Sequence, residues 1–347
     1  MRRSFWARAR LLGGVGLVAV LMWRLGTAAV VDGVRVIDGR TLLVALAIGA
    51  VTTVCSAWRW CLVARGLGIR LPAGGAVADY YRALFLNSAL PGGVLGDVHR
   101  AVRHGRDVGD VGRGIRAVVL ERSAGQVVLV VTAATVLLGA GGSMVPTPHL
   151  GTVSRPALVA AVLVVAVLAV ALLLARRRAA SWWNRVLRTT VADVRLGLFA
   201  RGNWAGVAAF SVVALAGHLA TFVVAARTAG VTAPIGRLVP LALLALLAMA
   251  LPLNVGGWGP REGVCAWAFG LAGIGAAQGL TVAVVYGVLA FVAGTPGAAV
   301  LLVRWAARRR ARWVAGRWGT RRWTLRWQLP PSRLLFDQAV PNRSESA

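Results

Sequence analysis

The chain has 347 residues, 58% hydrophobic and 14% charged, with a mean hydropathy of +0.71, which excludes a soluble domain of ordinary composition and implies a polytopic membrane protein. Its net charge of +28 comes from arginine alone, since lysine is absent. In so apolar a chain that charge reads as topology signal and attraction to anionic lipid, and nucleic acid is not an expected partner.

Arg2, Arg3, Arg8 and Arg10 precede an apolar stretch from about Leu11 to Val31, interrupted by Arg24. It reads as a retained first span with a cytoplasmic N-terminus, the alternative being a signal peptide cleaved near Thr27-Ala-Ala. Val31 to Arg40 form a short outer loop, and Thr41 to Ala64 is long enough to cross a hydrocarbon layer of about 30 Å. Arg59, Arg65 and Arg70 mark its inner end. Ala76 to Leu90 is shorter, carries Asp79 and Arg82, and stops at Pro91, Gly92 and Gly93, so it reads as a re-entrant helix entering from the inside. Its basic exit places residues 98 to 114 on the cytoplasmic side.

Ile115 to Gly139 is the next span, with Glu121, Arg122 and Gln126 in its first turns. Gly139 to Pro156 is an outer loop, Ala157 to Ala175 returns to Arg176, and Ala179 to Asn203 is expected as an amphipathic inner-surface helix. Trp204 to Ala226 crosses outward and Leu238 to Leu253 crosses back; Val264 to Ile274 climbs outward, and Leu280 to Val303 returns. The expected fold is therefore an all-α polytopic membrane protein of about eight transmembrane helices plus a re-entrant helix. Residues 1–305 form the integral membrane domain, with both termini cytoplasmic at the inner membrane. Residues 306–347 form a basic tail rich in tryptophan, expected on the inner leaflet and disordered beyond Pro330.

The chemistry concentrates at two interruptions. Leu251 to Glu262 holds Pro252, Asn254, Gly256, Gly257, Gly259 and Pro260 before Arg261 and Glu262, and no continuous helix passes through such a run. Leu90 to Asp97 repeats the order of apolar helix, proline, paired glycines, a further glycine (Gly96) and charge. Two matched breaks predict a pseudo-repeat of two halves around one site, because unwound backbone and charge at membrane depth belong inside protein or beside a watery cavity. Only eleven acidic residues exist. A charge at the bilayer centre costs at least about 3 kcal/mol, so Asp79, Asp97, Glu121 and Glu262 need partners, with Arg82, Arg100, Arg122 and Arg261 available. These pairs either lock helices together or serve function. Backbone amides after Gly96 and Pro260, with the arginine forks, suit a phosphate group.

Other chemistry is weakly represented. Asp107 and Asp110 could hold a divalent metal or simply be solvated, and His218 could relay protons or be a hydrogen-bonded histidine within a span. Cys55, Cys61 and Cys265 have no metal-ligand spacing, and neither metal nor cofactor is expected.

The run Arg82-Ala-Leu-Phe-Leu-Asn87 leading into Leu90–Asp97 and Arg100, then Glu121-Arg122, then Leu251-Pro252 with Gly256–Glu262, resembles the lysylphosphatidylglycerol synthase/flippase transmembrane-region family. The resemblance covers roughly residues 10 to 305, and Pro260 stands where the family pattern suggests a small aliphatic residue. It implies the lipid-translocating part without the soluble aminoacyl-transfer domain, so synthase activity does not carry over. The expected function is translocation of a phospholipid or polyprenyl-phosphate bound by its headgroup at the two breaks, with anionic or phosphate-bearing lipids as partners. The alternatives are a glycosyl- or aminoacyl-transferase acting on a lipid carrier, and a non-transporting membrane scaffold.

Overall fold

The computed structural model describes residues 35–90, 93–139, 203–250, 259–307 and 309–310. Among the described residues the chain is helical throughout, with no strand. The helices are α1 (Gly39–Gly66), α2 (Ala73–Ala89), α3 (Leu95–Asp107), α4 (Val111–Gly139), α5 (Asn203–Thr228), α6 (Ile235–Ala250), α7 (Pro260–Leu271) and α8 (Ala276–Gly294). The expected first span, the segments between residues 140 and 202, Pro91, Gly92, the stretch from Leu251 to Trp258 and most of the tail lie outside the described residues.

Among the described residues four helices are long and apolar enough to cross a membrane: α1, α4, α5 and the run Ala276–Ala307 that begins with α8. Leu43, Val51, Val119, Val127, Val131 and Val212 are exposed along the first three. Apolar side chains on outward faces are what lipid, not water, would accept. Asp38 starts α1 by accepting the Thr41 amide at 2.8 Å.

α1 and α5 lie antiparallel along their whole length. Thr41 Oγ1 is 3.4 Å from Thr228 Oγ1 at one end, Asn203 Nδ2 donates to the Leu62 carbonyl at 3.4 Å at the other, and Gly217 abuts Thr52 between them. α2 and α3 form a hairpin at the C-terminal end of α1, and α6 and α7 form one at the C-terminal end of α5. The two hairpins therefore enter the bundle from opposite ends.

One expectation is refined and one corrected. Residues 98 to 107, read as a basic exit on the cytoplasmic side, belong to α3, whose Arg100 is fully buried. Gly96 and Gly114 make this possible, since a Cβ at either would collide with the backbone of Ala83 or Ala101. Leu238 to Leu253 and Val264 to Ile274 were expected as crossings, but α6 has 16 residues and α7 has 12. At 1.5 Å per residue neither reaches about 30 Å, so together they make a second re-entrant hairpin.

Each helix of the second half starts 162 to 165 residues after its counterpart: α1 at 39 and α5 at 203, α2 at 73 and α6 at 235, α3 at 95 and α7 at 260, α4 at 111 and α8 at 276. Packing follows the same correspondence. α3 lies on α4 as α7 lies on α8, α1 on α4 as α5 on α8, and α2 on α8 as α6 on α4. The turns match too: Gly68 and Gly230 have φ of +79° and +81°, and each is followed by an amide, from Ile69 or Val231, that returns to the preceding helix. Gly109 and Gly273, at +76° and +72°, close the bases of the hairpins in the same way.

Leu301–Ala347 form a separate compact unit. Its described residues are helical, with the Arg309 guanidinium 4.8 Å over the Trp305 ring.

Candidate functional site

The first hairpin builds a charged cluster around Glu121, which is fully buried on α4. Its Oε1 accepts from Arg59 Nε on α1 at 3.1 Å and from the Tyr80 hydroxyl on α2 at 3.3 Å, and its Oε2 accepts from Arg100 Nη2 on α3 at 2.7 Å. One carboxylate thus ties all four helices of the half together. Gly125, one turn along α4, leaves the space that the Arg59 guanidinium occupies. Arg59 Nη1 also donates to Ser211 Oγ on α5 at 3.1 Å, joining the cluster to the second half.

Asp97 sits near the hairpin tip. Its carboxylate accepts from Arg100 Nε at 2.8 Å, from Arg122 Nη2 at 2.9 Å and from Asn87 Nδ2 at 3.1 Å. Asn87 also accepts the Gly96 amide at 2.7 Å, so one side chain staples the two arms. The Arg100 guanidinium lies between the Trp60 ring, 4.7 Å away, and the Tyr80 ring, 4.6 Å away. Arg100 Nη1 and Trp60 Nε1 are buried and meet no acceptor among the described residues; Arg122 Nε is likewise unmatched. Three guanidiniums face two carboxylates here, an excess of one positive charge.

Asp79 gathers a second cluster nearer the hairpin base. Arg82 lies at 3.3 Å, Arg103 at 3.0 Å and His104 Nε2 at 2.8 Å from its oxygens, and Arg82 Nη2 is 3.0 Å from His99 Nδ1. Arg82 therefore serves the hairpin itself, separate from the Glu121 cluster.

In the second hairpin the start of α7 is tied by its own side chains. Gly259 has φ of +119°, which a side chain would resist, and Pro260 opens α7 without needing an amide partner. Glu262 Oε2 accepts the Gly259 amide at 2.6 Å, while Oε1 accepts from both Nε and Nη2 of Arg261, its neighbour in sequence. Both side chains are buried at 2% exposure. The Arg261 guanidinium lies 5.4 Å over the Tyr286 ring, and the Tyr286 hydroxyl is 3.4 Å from His218 Nδ1 on α5. Phe222 and Phe269 pack around this end in the main apolar core.

Asn87, Gly96, Asp97, Arg100, Glu121 and Arg122 thus come together. Arg261 and Glu262 form their own pair with Gly259, and Gly93 marks the first tip with φ of +62°. Pro91, Gly92, Pro252, Asn254, Gly256 and Gly257 lie outside the described residues. The amides of Gly96 and Gly259 themselves are capped by Asn87 and Glu262. Sequence reasoning missed Arg59, Trp60 and Tyr80. Arg59 was read as a flank of its span, although its position about two turns inside the end of α1 was a signal of burial.

The remaining candidates find ordinary roles. Asp110 precedes α4 and accepts the Arg113 amide at 2.8 Å; that bond, with the Arg116 and Arg113 charges nearby, holds its carboxyl below the usual range. Asp107 lies 3.8 Å from His104 Nδ1. No group of three or more His, Cys, Asp or Glu among the described residues is arranged to hold a metal, and Cys55, Cys61 and Cys265 are free thiols.

A family model described as the lysylphosphatidylglycerol synthase TM region matches residues 9–298. No curated protein and no solved structure matches the chain. With most of its length matched, the chain belongs to that family.

Proposed function

We propose that this member of the lysylphosphatidylglycerol synthase TM region family is a flippase-like lipid translocase that takes a phosphate-bearing headgroup at the tip of the first hairpin. One observation carries the reading: the Arg59, Arg100 and Arg122 guanidiniums outnumber the Glu121 and Asp97 carboxylates, and Arg100 Nη1 and Trp60 Nε1 point donors at no acceptor. Buried donors without partners cost about 1–3 kcal/mol each, and an anion supplied by the substrate removes that cost. Arg122 has 39% of its side chain exposed at the surface of the bundle and so offers the entry point. Arginine matches phosphate oxygens with parallel hydrogen bonds that a point charge does not provide.

Glu121 lies ten residues into the 29-residue α4, about 15 Å along a helix of about 43 Å. The arginine-rich ends support a reading in which both termini and the base of the first hairpin face the cytoplasm and the base of the second faces outward.

The test is leaflet exchange of a labelled anionic phospholipid in proteoliposomes. Exchange faster than in protein-free liposomes, and reduced by Arg100→Lys at equal folded protein, supports the reading. Wild-type exchange at the protein-free rate across several phosphate-bearing lipids overturns it.

A further inference from the structure

We infer that residues 39–139 and 203–294 are an inverted pair of one structural unit, and that His218, Tyr286 and Arg261 form a second headgroup station, the counterpart of the Arg59, Glu121 and Asp97 station in the first half. The second part of this inference rests on the translocase reading above; the first does not.

Inversion follows from geometry. α1 and α5 are antiparallel neighbours, each leads into a hairpin, and each hairpin leads into a helix running back the other way. An axis through the α1 and α5 contact, lying in the membrane plane, exchanges α2 with α6, α3 with α7 and α4 with α8, and the packing pairs are preserved under that exchange.

The register of the two halves can be read from glycines. Gly114 on α4 abuts the Ala101 carbonyl on α3, and Gly279 on α8 abuts the Cys265 carbonyl on α7. Counting from those contacts, Glu121 and Tyr286 are both seven residues beyond their glycine, and Asp97 and Arg261 are both four residues before the contacted carbonyl. Tyr286 therefore stands where Glu121 stands, and Arg261 where Asp97 stands. His218 on α5 faces Tyr286 within one turn of the place from which Arg59 on α1 faces Glu121. Conserving the scaffold while exchanging carboxylates for a phenol and an arginine leaves hydrogen-bond donors suited to the oxygens of a phosphate.

The two stations are caught in different conditions. The first has donors facing no acceptor, whereas Arg261 is engaged by Glu262. His218 is exposed at mid-helix, two turns along α5 from Ser211, to which Arg59 donates, so the stations adjoin. Inverted repeats move substrate by exchanging the conformations of their halves about a shared midplane site. In the exchanged state Arg261 turns from Glu262 to the incoming headgroup, and Tyr286 and His218 complete its shell.

The experiment has two arms. In a chain with Cys55, Cys61 and Cys265 replaced by alanine, Val108→Cys and Ala277→Cys mark the hairpin bases for a membrane-impermeant maleimide. Ala277→Cys labels from outside and Val108→Cys only after permeabilisation; labelling of both from one side overturns the inversion. The second arm measures Tyr286→Phe and His218→Leu against a short-chain phosphatidic acid. Binding to the first station stays within about twofold of wild type, thermal stability is unchanged for Tyr286→Phe, and lipid exchange falls by about tenfold or more. Unchanged exchange in both variants overturns the second station. A wild type that neither binds nor moves the lipid overturns the translocase reading and the second station together, while the labelling arm still decides the inversion.

Discussion

The two hairpins share a backbone and differ in electrostatics. The tip of the first is polar, cation-rich and incompletely paired; the tip of the second is neutral, with Arg261 and Glu262 joined side by side under Tyr286, Phe222 and Phe269. A break in a helix is thus open to an anion in this state only where surrounding helices supply charge that the break does not balance, as Arg59 from α1 and Arg122 from α4 do in the first half.

The largest expected effect breaks this contrast at its centre. Glu121→Ala leaves three guanidiniums facing Asp97 alone, and removing one member of a buried ionic network costs about 3–5 kcal/mol. Folded protein should fall sharply, as read by size-exclusion recovery from detergent. At the second tip the charges balance within one pair, so a joint replacement, Arg261→Met with Glu262→Leu, should leave recovery near wild type because an apolar pair of similar volume substitutes for an ion pair. Glu262→Gln alone should lower recovery, since it weakens the bond that ties the start of α7. Near-normal recovery of Glu121→Ala would refute the contrast between the tips.

Arg100→Lys comes next. It keeps the charge but loses both the ring sandwich and the second hydrogen-bonding nitrogen, so lipid exchange should drop by about tenfold while recovery changes little. Asn87→Ala should cost about 1–3 kcal/mol by leaving the Gly96 amide and Asp97 short of a partner, seen as a lowered melting temperature. Gln278, which donates to the Ala229 carbonyl near the base of the second hairpin, offers a control outside both tips. The smallest effect belongs to Asp110→Asn. Its carboxyl is held below the usual range in the folded chain, so the stabilisation exists above the ordinary carboxylate pKa of about 4 and disappears as pH falls through the lowered value. Wild type and variant should therefore differ slightly at neutral pH and converge in acid.

The helices and both breaks were legible because hydropathy, proline and glycine act locally. Span length separated α1, α4 and α5 from shorter pieces, yet α6 was read as a crossing because the apolar run continues past Ala250 to Leu253 and hydropathy does not say where the helix stops. α3 was obscured by its own charges: with Arg100, Arg103 and Arg106 it reads as a cytoplasmic flank, and only the backbone contacts at Gly96 and Gly114 reveal it as a packed arm. Charge pairing was legible only in part: Arg82, Arg100, Arg122 and Arg261 do pair with the four acidic residues that needed partners, but Arg59 was missed. Glu121 meets Arg59 across 62 residues, and in a chain where arginine is abundant no local rule selects that partner. The correspondence between halves was visible in the breaks but not in the side chains, since Glu121 and Tyr286 share a position and no chemistry.

The central claim is that the first hairpin tip receives a phosphate-bearing headgroup through guanidiniums that the protein leaves unbalanced. The most direct measurement is leaflet exchange of a fluorescent anionic phospholipid in proteoliposomes, wild type beside Arg100→Lys at matched folded protein. The claim predicts wild-type exchange well above protein-free liposomes and Arg100→Lys close to them; equal exchange by the two proteins, or wild-type exchange at the protein-free rate, would contradict it.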